Sequence, residues 1–444
     1  MAPIPILAHG SPAAVVAYRG GRPITARQFL ADAYAVAALL PAGGHVLNAC
    51  SDRYRFAVGL AAGLIAGKTS LLPPTHLPEV IRHVRLFAPD ACCLHDDDAL
   101  EIALPLVRYP AEPARPGADW SVPAIPAEQQ VAVVFTSGTT GAPLPHRKTW
   151  GRLVASVRIE ALRLWLDDGR CHGIVATVPP QHMYGFESSV LLALQAGQAF
   201  CAERPFYPAD VATVLAAVPR PRVLVSTPVH LQALLASGIS QPAVDLVVCA
   251  TAPLQATVAA RVEELYGAPL IEIYGSTETG QIASRRTVAS AEWQLWPGVA
   301  LLPRDGRTGA EGGHVEAPTP LGDLVDTLPG GRFVLRGRSE DLVNIAGKRS
   351  SIAYLNHQLA AIPGVVDAAF FQPEEPAGQS ATGTARLGAV VVAPGLTAAA
   401  IIRELRARVD PVFLPRPLLL VECIPRNATG KLPRAALKSL TPGA

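Results

Sequence analysis

The stretch Val131–Lys148, VAVVFTSGTTGAPLPHRK, holds the residues best suited to chemistry. An apolar, β-branched run leads into Thr136, Ser137, Gly138, Thr139, Thr140 and Gly141. Two glycines let a backbone take positive φ and approach an anion closely. Successive main-chain N–H groups then converge on phosphate oxygens, and the Ser and Thr hydroxyls add donors. Taken alone, such a cluster reads more simply as a flexible turn; the strand-like run before it favours phosphate. Lysine is scarce among the 38 basic residues, occurring at 68, 148, 348, 431 and 438. A lysine at a motif position therefore carries weight. A competing phosphate loop, AGLIAGKT at 62–69, fits a relaxed Walker pattern. A true Walker loop follows a strand and opens a helix. Here an apolar helix precedes Gly67-Lys68, so Gly67 reads as a helix C-terminus.

The elements that must position this loop are legible around it. Through residue 280, strand-like runs (VAVVFTS, GIVATVP, RVLVSTP, AVDLVVCATA) alternate with helical ones (RFAVGLAAGLIAG, ADVATVLAAV, LQALLASG, ATVAARVEELYG). This alternation predicts a large α/β N-terminal domain of stacked, mostly parallel sheets flanked by helices. Between 290 and 336, short Gly/Pro-punctuated runs predict a small antiparallel β region. Beyond Arg338, VVDAAFF, LGAVVVAP, TAAAIIRELRARV and LLLVEC predict a smaller α+β C-terminal domain. The expected domains are 1–338 and 339–444, consistent with a chain of 444 residues exceeding one core.

Composition excludes several classes. Hydrophobic residues make up 50% and charged residues 17%, which argues against disorder. The longest uncharged apolar run, Phe56–Ala66, falls short of the roughly 20 residues that span a bilayer. The N-terminus lacks a secretory pattern, so a cytoplasmic location is expected. The seven cysteines form no CxxC pair and predict neither a zinc site nor a disulfide framework. A net charge of +2 without basic blocks does not suggest nucleic acid.

Four later segments join the loop in a fixed order: ATAPL at 250–254, IYGSTE at 273–278, LGD with GR at 321–338, and PRNATGKLPR at 425–434. Together with TSGTTGAP they resemble the adenylate-forming superfamily of acyl-CoA synthetases, peptide-synthetase adenylation domains and luciferases. The resemblance implies ATP and Mg²⁺ as cofactors, and coenzyme A or the phosphopantetheine of a carrier protein as acceptor. It places Thr251, Ala252 and Pro253 in an adenine loop, with Tyr274 and Gly275 beside the base and Thr277 at the α-phosphate. Glu278 becomes a catalytic residue and the metal ligand, since a hard cation prefers carboxylate oxygen. Asp323 and Arg338 would clasp the ribose hydroxyls, Asp326 being the rival less favoured by spacing. Lys431 would be catalytic, touching the substrate carboxylate and the α-phosphate together; the plainer reading is a solvated tail lysine. The resemblance also implies a hinge at Glu340 and Asp341, about which the small domain turns between half-reactions.

Two departures stand out. The family's lysine after the loop proline is Leu144 here, and Lys148 either replaces it at the phosphates or is simply exposed. The threonine usual before Gly322-Asp323 is Leu321. The segment Pro179–Phe186 resembles the family's acid-binding stretch. It makes His182 a catalytic or pocket residue, with a structural histidine as the alternative. Tyr184, Phe186, Val229 and His230 are further pocket candidates, which suit a small aromatic acid. The compact chain and its PLPHRKTW continuation resemble ligases that load aryl starters onto acyl carrier proteins in aryl-polyene pigment pathways. The expectation is an AMP-forming acid–thiol ligase acting on a small carboxylic acid, with an acyl carrier protein as partner. The alternatives are a non-catalytic nucleotide-binding or acyl-binding homologue and an adenylating enzyme with a non-thiol acceptor.

Overall fold

The computed structural model describes residues 2–117, 120–137, 143–304, 307–338, 342–345, 348–372, 387–426 and 432. The chain divides into two compact units, residues 1–300 with 310–319, and residues 301–309 with 320–444.

The first unit is built on two sheets. One runs in the order Pro143–Thr149, Gln130–Ser137, Thr69–Leu72, His45–Asn48, Cys92–His95, Leu106–Arg108. Its strands are parallel except for the edge strand Pro143–Thr149, which lies antiparallel to Gln130–Ser137. The other sheet holds Leu270–Ser276, Leu246–Cys249, Arg222–Ser226, Gly173–Ala176, Ala199–Cys201 and Val15–Arg19 side by side, all parallel. These strands are buried aliphatic runs, as expected when helices cover both faces of a sheet. Helices Arg53–Ile65 and Trp150–Arg163 contribute Phe56, Leu60, Trp150 and Val154 to the main core, alongside Val46, Val134 and Ile174 from the strands.

The Walker reading of 62–69 fails on geometry. Gly67 has φ +68° and closes the helix Arg53–Ile65, with the Lys68 N–H donating back to the Gly63 carbonyl. The Lys68 ammonium is buried and spends its donors on the carbonyls of Pro41 (2.6 Å) and Gly43.

The second unit is α+β. Strands Asp367–Phe371, Gly388–Val392 and Leu418–Leu420 form a sheet, and Ile352–Ala360 and Ala398–Arg406 supply helices. Leu355, Leu359, Phe370, Val391, Ile401 and Leu405 share its core. Thr397 caps the second helix by accepting the Ala400 N–H at 3.2 Å. The hairpin Asp323–Leu328 with Arg332–Arg338 belongs to this unit, because its second strand packs on Ile352–Ala360. The compact units thus divide before this hairpin, whereas the sequence reading sets the domain boundary after it. All seven cysteines are free thiols. Among the described residues no helix is long and apolar enough to cross a membrane.

Candidate active site

Parallel α/β sheets present their ligand sites beyond the carboxyl ends of the strands. The candidate residues of the first unit collect there. Ser226 leads to Val229 and His230, Cys249 to Thr251–Pro253, and Ser276 to Glu278. On the other sheet Ser137 ends the strand that enters the phosphate-loop motif. Gly138, Thr139, Thr140 and Gly141 lie outside the described residues. The return strand Pro143–Thr149 contains two prolines, which reads as loop; as the sheet's edge it tolerates them. Alternation puts Leu144, His146 and Lys148 on one face of it. Leu144 is 52% exposed. His146 Nε2 lies 2.9 Å from Thr136 Oγ1 and 3.5 Å from Glu278 Oε1. Lys148 is 3% exposed, and its Nζ donates to the main-chain carbonyl of Glu278 at 3.2 Å. The solvent-exposed alternative for Lys148 is therefore overturned. A lysine this deep is held by its surroundings, and burial lowers its pKa against the opposing charges of Glu187, Glu316 and Glu278.

The turn that carries Glu278 joins Leu270–Ser276 to Gly280–Arg285. Gly275 is required at its base. A Cβ there would sit 2.2 Å from the Gly280 carbonyl oxygen, a clash no side chain survives. Ser276 and Thr279 lock the turn reciprocally: Ser276 N–H donates to Thr279 Oγ1 (3.1 Å) and Thr279 N–H donates to Ser276 Oγ (3.2 Å). Burial works to raise the pKa of the Glu278 carboxyl. Its own main-chain N–H, the Ser276 hydroxyl, His146 and Lys148 outweigh that effect and hold it below the ordinary value. An ionised carboxylate with 40% of its side chain exposed suits a hard cation such as Mg²⁺. His146 is shifted the other way, its pKa lowered chiefly by burial. Tyr274 is half-buried, its ring 5.5 Å from that of Trp293. Thr277 is also half-buried.

Thr251 has φ +87°, a strained conformation for a β-branched residue and of the kind that gathers at functional sites. Ala252 and Pro253 follow it at the surface, half-buried and exposed. Glu272 anchors the loop from inside. Its Oε1 accepts the Leu254 N–H at 3.3 Å, and its Oε2 accepts Arg285 (2.7 Å) and Thr287 (2.8 Å).

The residues of the stretch 179–186 and their neighbours are placed differently from one another. His182 is half-buried and stands at the start of the short helix Met183–Gly185. The Tyr184 hydroxyl lies 3.2 Å from the Ser226 carbonyl and 3.0 Å from the Val248 carbonyl, tying the segment to two strand ends. Phe186 is a correction: it is fully buried against Phe56 (ring centroids 6.5 Å apart) and is core, not pocket wall. It opens the π-helical turn Phe186–Leu191, which turns this face inward. Val229 is half-buried, and His230 is buried, with Nδ1 2.9 Å from Thr227 Oγ1 and its ring edge-on to Phe206. Arg53, fully buried, pins this region: Nη2 donates to the carbonyls of Ala176 (3.0 Å) and Val178 (2.7 Å), Nη1 to those of Cys201 (3.1 Å) and Glu203 (2.9 Å). Burial brings its pKa down to about 10, so it stays a cation at neutral pH.

In the second unit, Asp323 stands directly opposite Arg338 in the hairpin ladder. The fifteen-residue spacing that suggested a ribose clasp is thus a cross-strand pair in register. Lys431, Glu340 and Asp341 lie outside the described residues. Sequence reasoning missed His146, Glu187, Glu272, Thr279 and Arg53. Only Ser276 and Thr279, spaced as an S-x-x-T turn, left a local signal.

The chain belongs to the AMP-binding enzyme family, whose model matches residues 8–302. It is 30% identical over 289 residues to a 4-coumarate–CoA ligase of Rhodobacter capsulatus, covering 64% of this chain and 69% of that protein. It is 25% identical over 407 residues to a 4-chlorobenzoate–CoA ligase of Pseudomonas sp. strain CBS-3, covering 81% and 73%. The fold is that of ATP-bound MatB from Rhodopseudomonas palustris, with TM-score 0.82, 19% identity, and coverage of 97% and 96%. An O-succinylbenzoate coenzyme A synthetase from Bacillus subtilis, solved with ATP and a magnesium ion, matches with TM-score 0.79, 19% identity and 97% coverage of each chain. These are the adenylate-forming enzymes, with a large N-terminal α/β domain and a small C-terminal domain.

Proposed function

We propose that this protein is an AMP-forming acid–thiol ligase that activates an aryl carboxylic acid with ATP. The observation that carries the reading is the meeting of Thr136, His146 and Glu278 at the carboxyl ends of two sheets, in a chain of this family. A carboxylate oxygen of the acid attacks the α-phosphorus and the bond to pyrophosphate breaks, leaving an acyl-adenylate. A thiolate then attacks the acyl carbon, the carbon–oxygen bond breaks, and AMP departs with one oxygen of the original carboxylate.

In this reading the N–H groups of 136–141 hold the phosphates, and Lys431 balances charge between the carboxylate and α-phosphate. Thr251–Pro253 and Tyr274 flank the adenine, and Asp323 with Arg338 holds the ribose. Glu278 would hold Mg²⁺, which supplies neutralisation of phosphate charge when bound. His182, Tyr184, Val229 and His230 border the acid. Two relatives named for 4-coumarate and 4-chlorobenzoate support an aryl substrate, and both are named as coenzyme A ligases. The thiol is that of coenzyme A or of a carrier protein's phosphopantetheine, the latter fitting the aryl-polyene resemblance.

The test is pyrophosphate release from ATP across aryl, short-chain and long-chain acids, with no acceptor, with coenzyme A, or with a phosphopantetheinylated carrier protein. Release strongest with an aryl acid, and accelerated by one of the thiols, is the expected result. ATP binding without release for any acid would favour the non-catalytic reading, for which Leu144 is the supporting feature.

A further inference from the structure

Lys148 occupies a buried place, spending a donor on the Glu278 carbonyl. It lies on the same strand face as Leu144, four residues deeper, and its ammonium ends beneath the turn that bears Glu278. Two carboxylates lie close by, Glu187 buried and Glu316 half-buried. Glu187, 1% exposed, accepts the Ser156 hydroxyl at 2.9 Å, and its Oε1 would lie 3.2 Å from a Cβ on Gly280. Glu316 takes the Thr149 N–H (2.6 Å) and hydroxyl (3.0 Å) on the residue next to Lys148. The turn is thus held from inside by Lys148 at the Glu278 carbonyl, with the Glu187 carboxyl leaving no room for a side chain at Gly280. Burying an ammonium costs more than burying an aliphatic side chain of the same length, and packing alone does not call for one. What an ammonium adds is a charged donor on a long stem, able to grip a carbonyl from below.

We propose that Lys148 is a positioning residue that fixes the Glu278 turn for nucleotide binding without touching the nucleotide, with the buried Glu187 carboxyl beside that turn. The basic group absent at Leu144 is therefore not restored at the phosphates. This inference rests on the adenylation reading for its kinetic readout but not for its binding readout.

The experiment compares wild type with Lys148→Met, Glu187→Gln and the double variant. The measurements are the dissociation constant for ATP with Mg²⁺, KM for ATP against KM for the acid, Tm, and amide exchange at 276–280. Loss of a supporting contact behind a metal-binding carboxylate weakens affinity or activity by about 10–100-fold. Lys148→Met is expected to weaken ATP binding at least about tenfold, in that range, with KM for the acid unchanged. It should also speed exchange at 276–280. The double variant should regain Tm, having no lone buried charge, while ATP binding stays weak. Recovery of ATP binding along with Tm in the double variant would overturn the proposal by reducing the pair to packing. So would unchanged ATP binding in Lys148→Met. If wild type releases no pyrophosphate with any acid, the adenylation reading falls, and the ATP dissociation constants still decide the role of Lys148.

Discussion

Replacing Arg53 with Met should loosen the strand ends around 176–203 more than any single surface change. The guanidinium has five N–H donors, and all are used: four go to main-chain carbonyls and Nε–H goes to Ser189 Oγ at 3.1 Å. Methionine fills much of the same space but donates nothing, so five acceptors, four of them buried, lose their partner. Each buried polar group left unpaired costs about 1–3 kcal/mol. Taking the low end for acceptors that keep another bond, and crediting the removal of a buried cation, the net loss is about 3–5 kcal/mol. At about 2–4 °C per kcal/mol for a unit of this size, Tm falls by about 10 °C. Urea denaturation and calorimetry measure this directly. The Ala176 and Val178 carbonyls immediately precede the stretch 179–186, so KM for the acid should rise further than KM for ATP. Arg53→Lys, with three donors at most, should fall between. A loss below about 1 kcal/mol for Arg53→Met would mean that these acceptors do not depend on the guanidinium, since orphaned buried acceptors carry a cost.

Lys431→Ala should nearly abolish adenylation while preserving thiol transfer from pre-formed acyl-adenylate; normal pyrophosphate release by that variant would remove Lys431 from the chemistry. Thr251→Gly relieves a strained φ of +87° and should raise stability by about 1 kcal/mol, net of glycine's entropy, while weakening activity. A lower Tm in that variant would mean the conformation stores no strain. Burial pushes the Glu160 carboxyl up to about 8, against an ordinary value of 4.5. The folded state then holds a proton that the unfolded chain releases. Stability from this residue is full below pH 4.5 and is lost as pH rises through 8. Glu160→Gln should flatten the decline of Tm between pH 5 and 8 relative to wild type, and parallel profiles would contradict that.

Much of the framework was legible because buried parallel strands are short aliphatic runs and their helices are long enough to show. Gly173–Ala176, Arg222–Ser226, Leu246–Cys249 and Leu270–Ser276 all lie within or beside stretches readable from pattern. The strand Pro143–Thr149 was not, because its prolines argue for loop and only its place at the sheet edge permits them. The site divides in the same way. Asp323 and Arg338 were singled out by the family resemblance, and their fifteen-residue separation is that of cross-strand partners in one hairpin. Phe186 was misplaced because sequence shows its apolarity but not the π-helical turn that aims it at Phe56. Arg53, Glu187 and Glu272 left no signal at all. Their partners are far off in the chain, and a charged residue in a sequence gives no sign of being buried.

The most direct test of the account follows oxygen. An acid that releases pyrophosphate should be supplied with both carboxylate oxygens labelled as ¹⁸O, together with ATP and the thiol that accelerates turnover. Mass spectrometry of the released AMP should show one ¹⁸O in its phosphate, because the carboxylate attacks the α-phosphorus and the thiol later breaks the acyl carbon–oxygen bond. Label appearing instead in inorganic phosphate, with ADP as the nucleotide product, would show attack at the γ-phosphorus and rule out an acyl-adenylate.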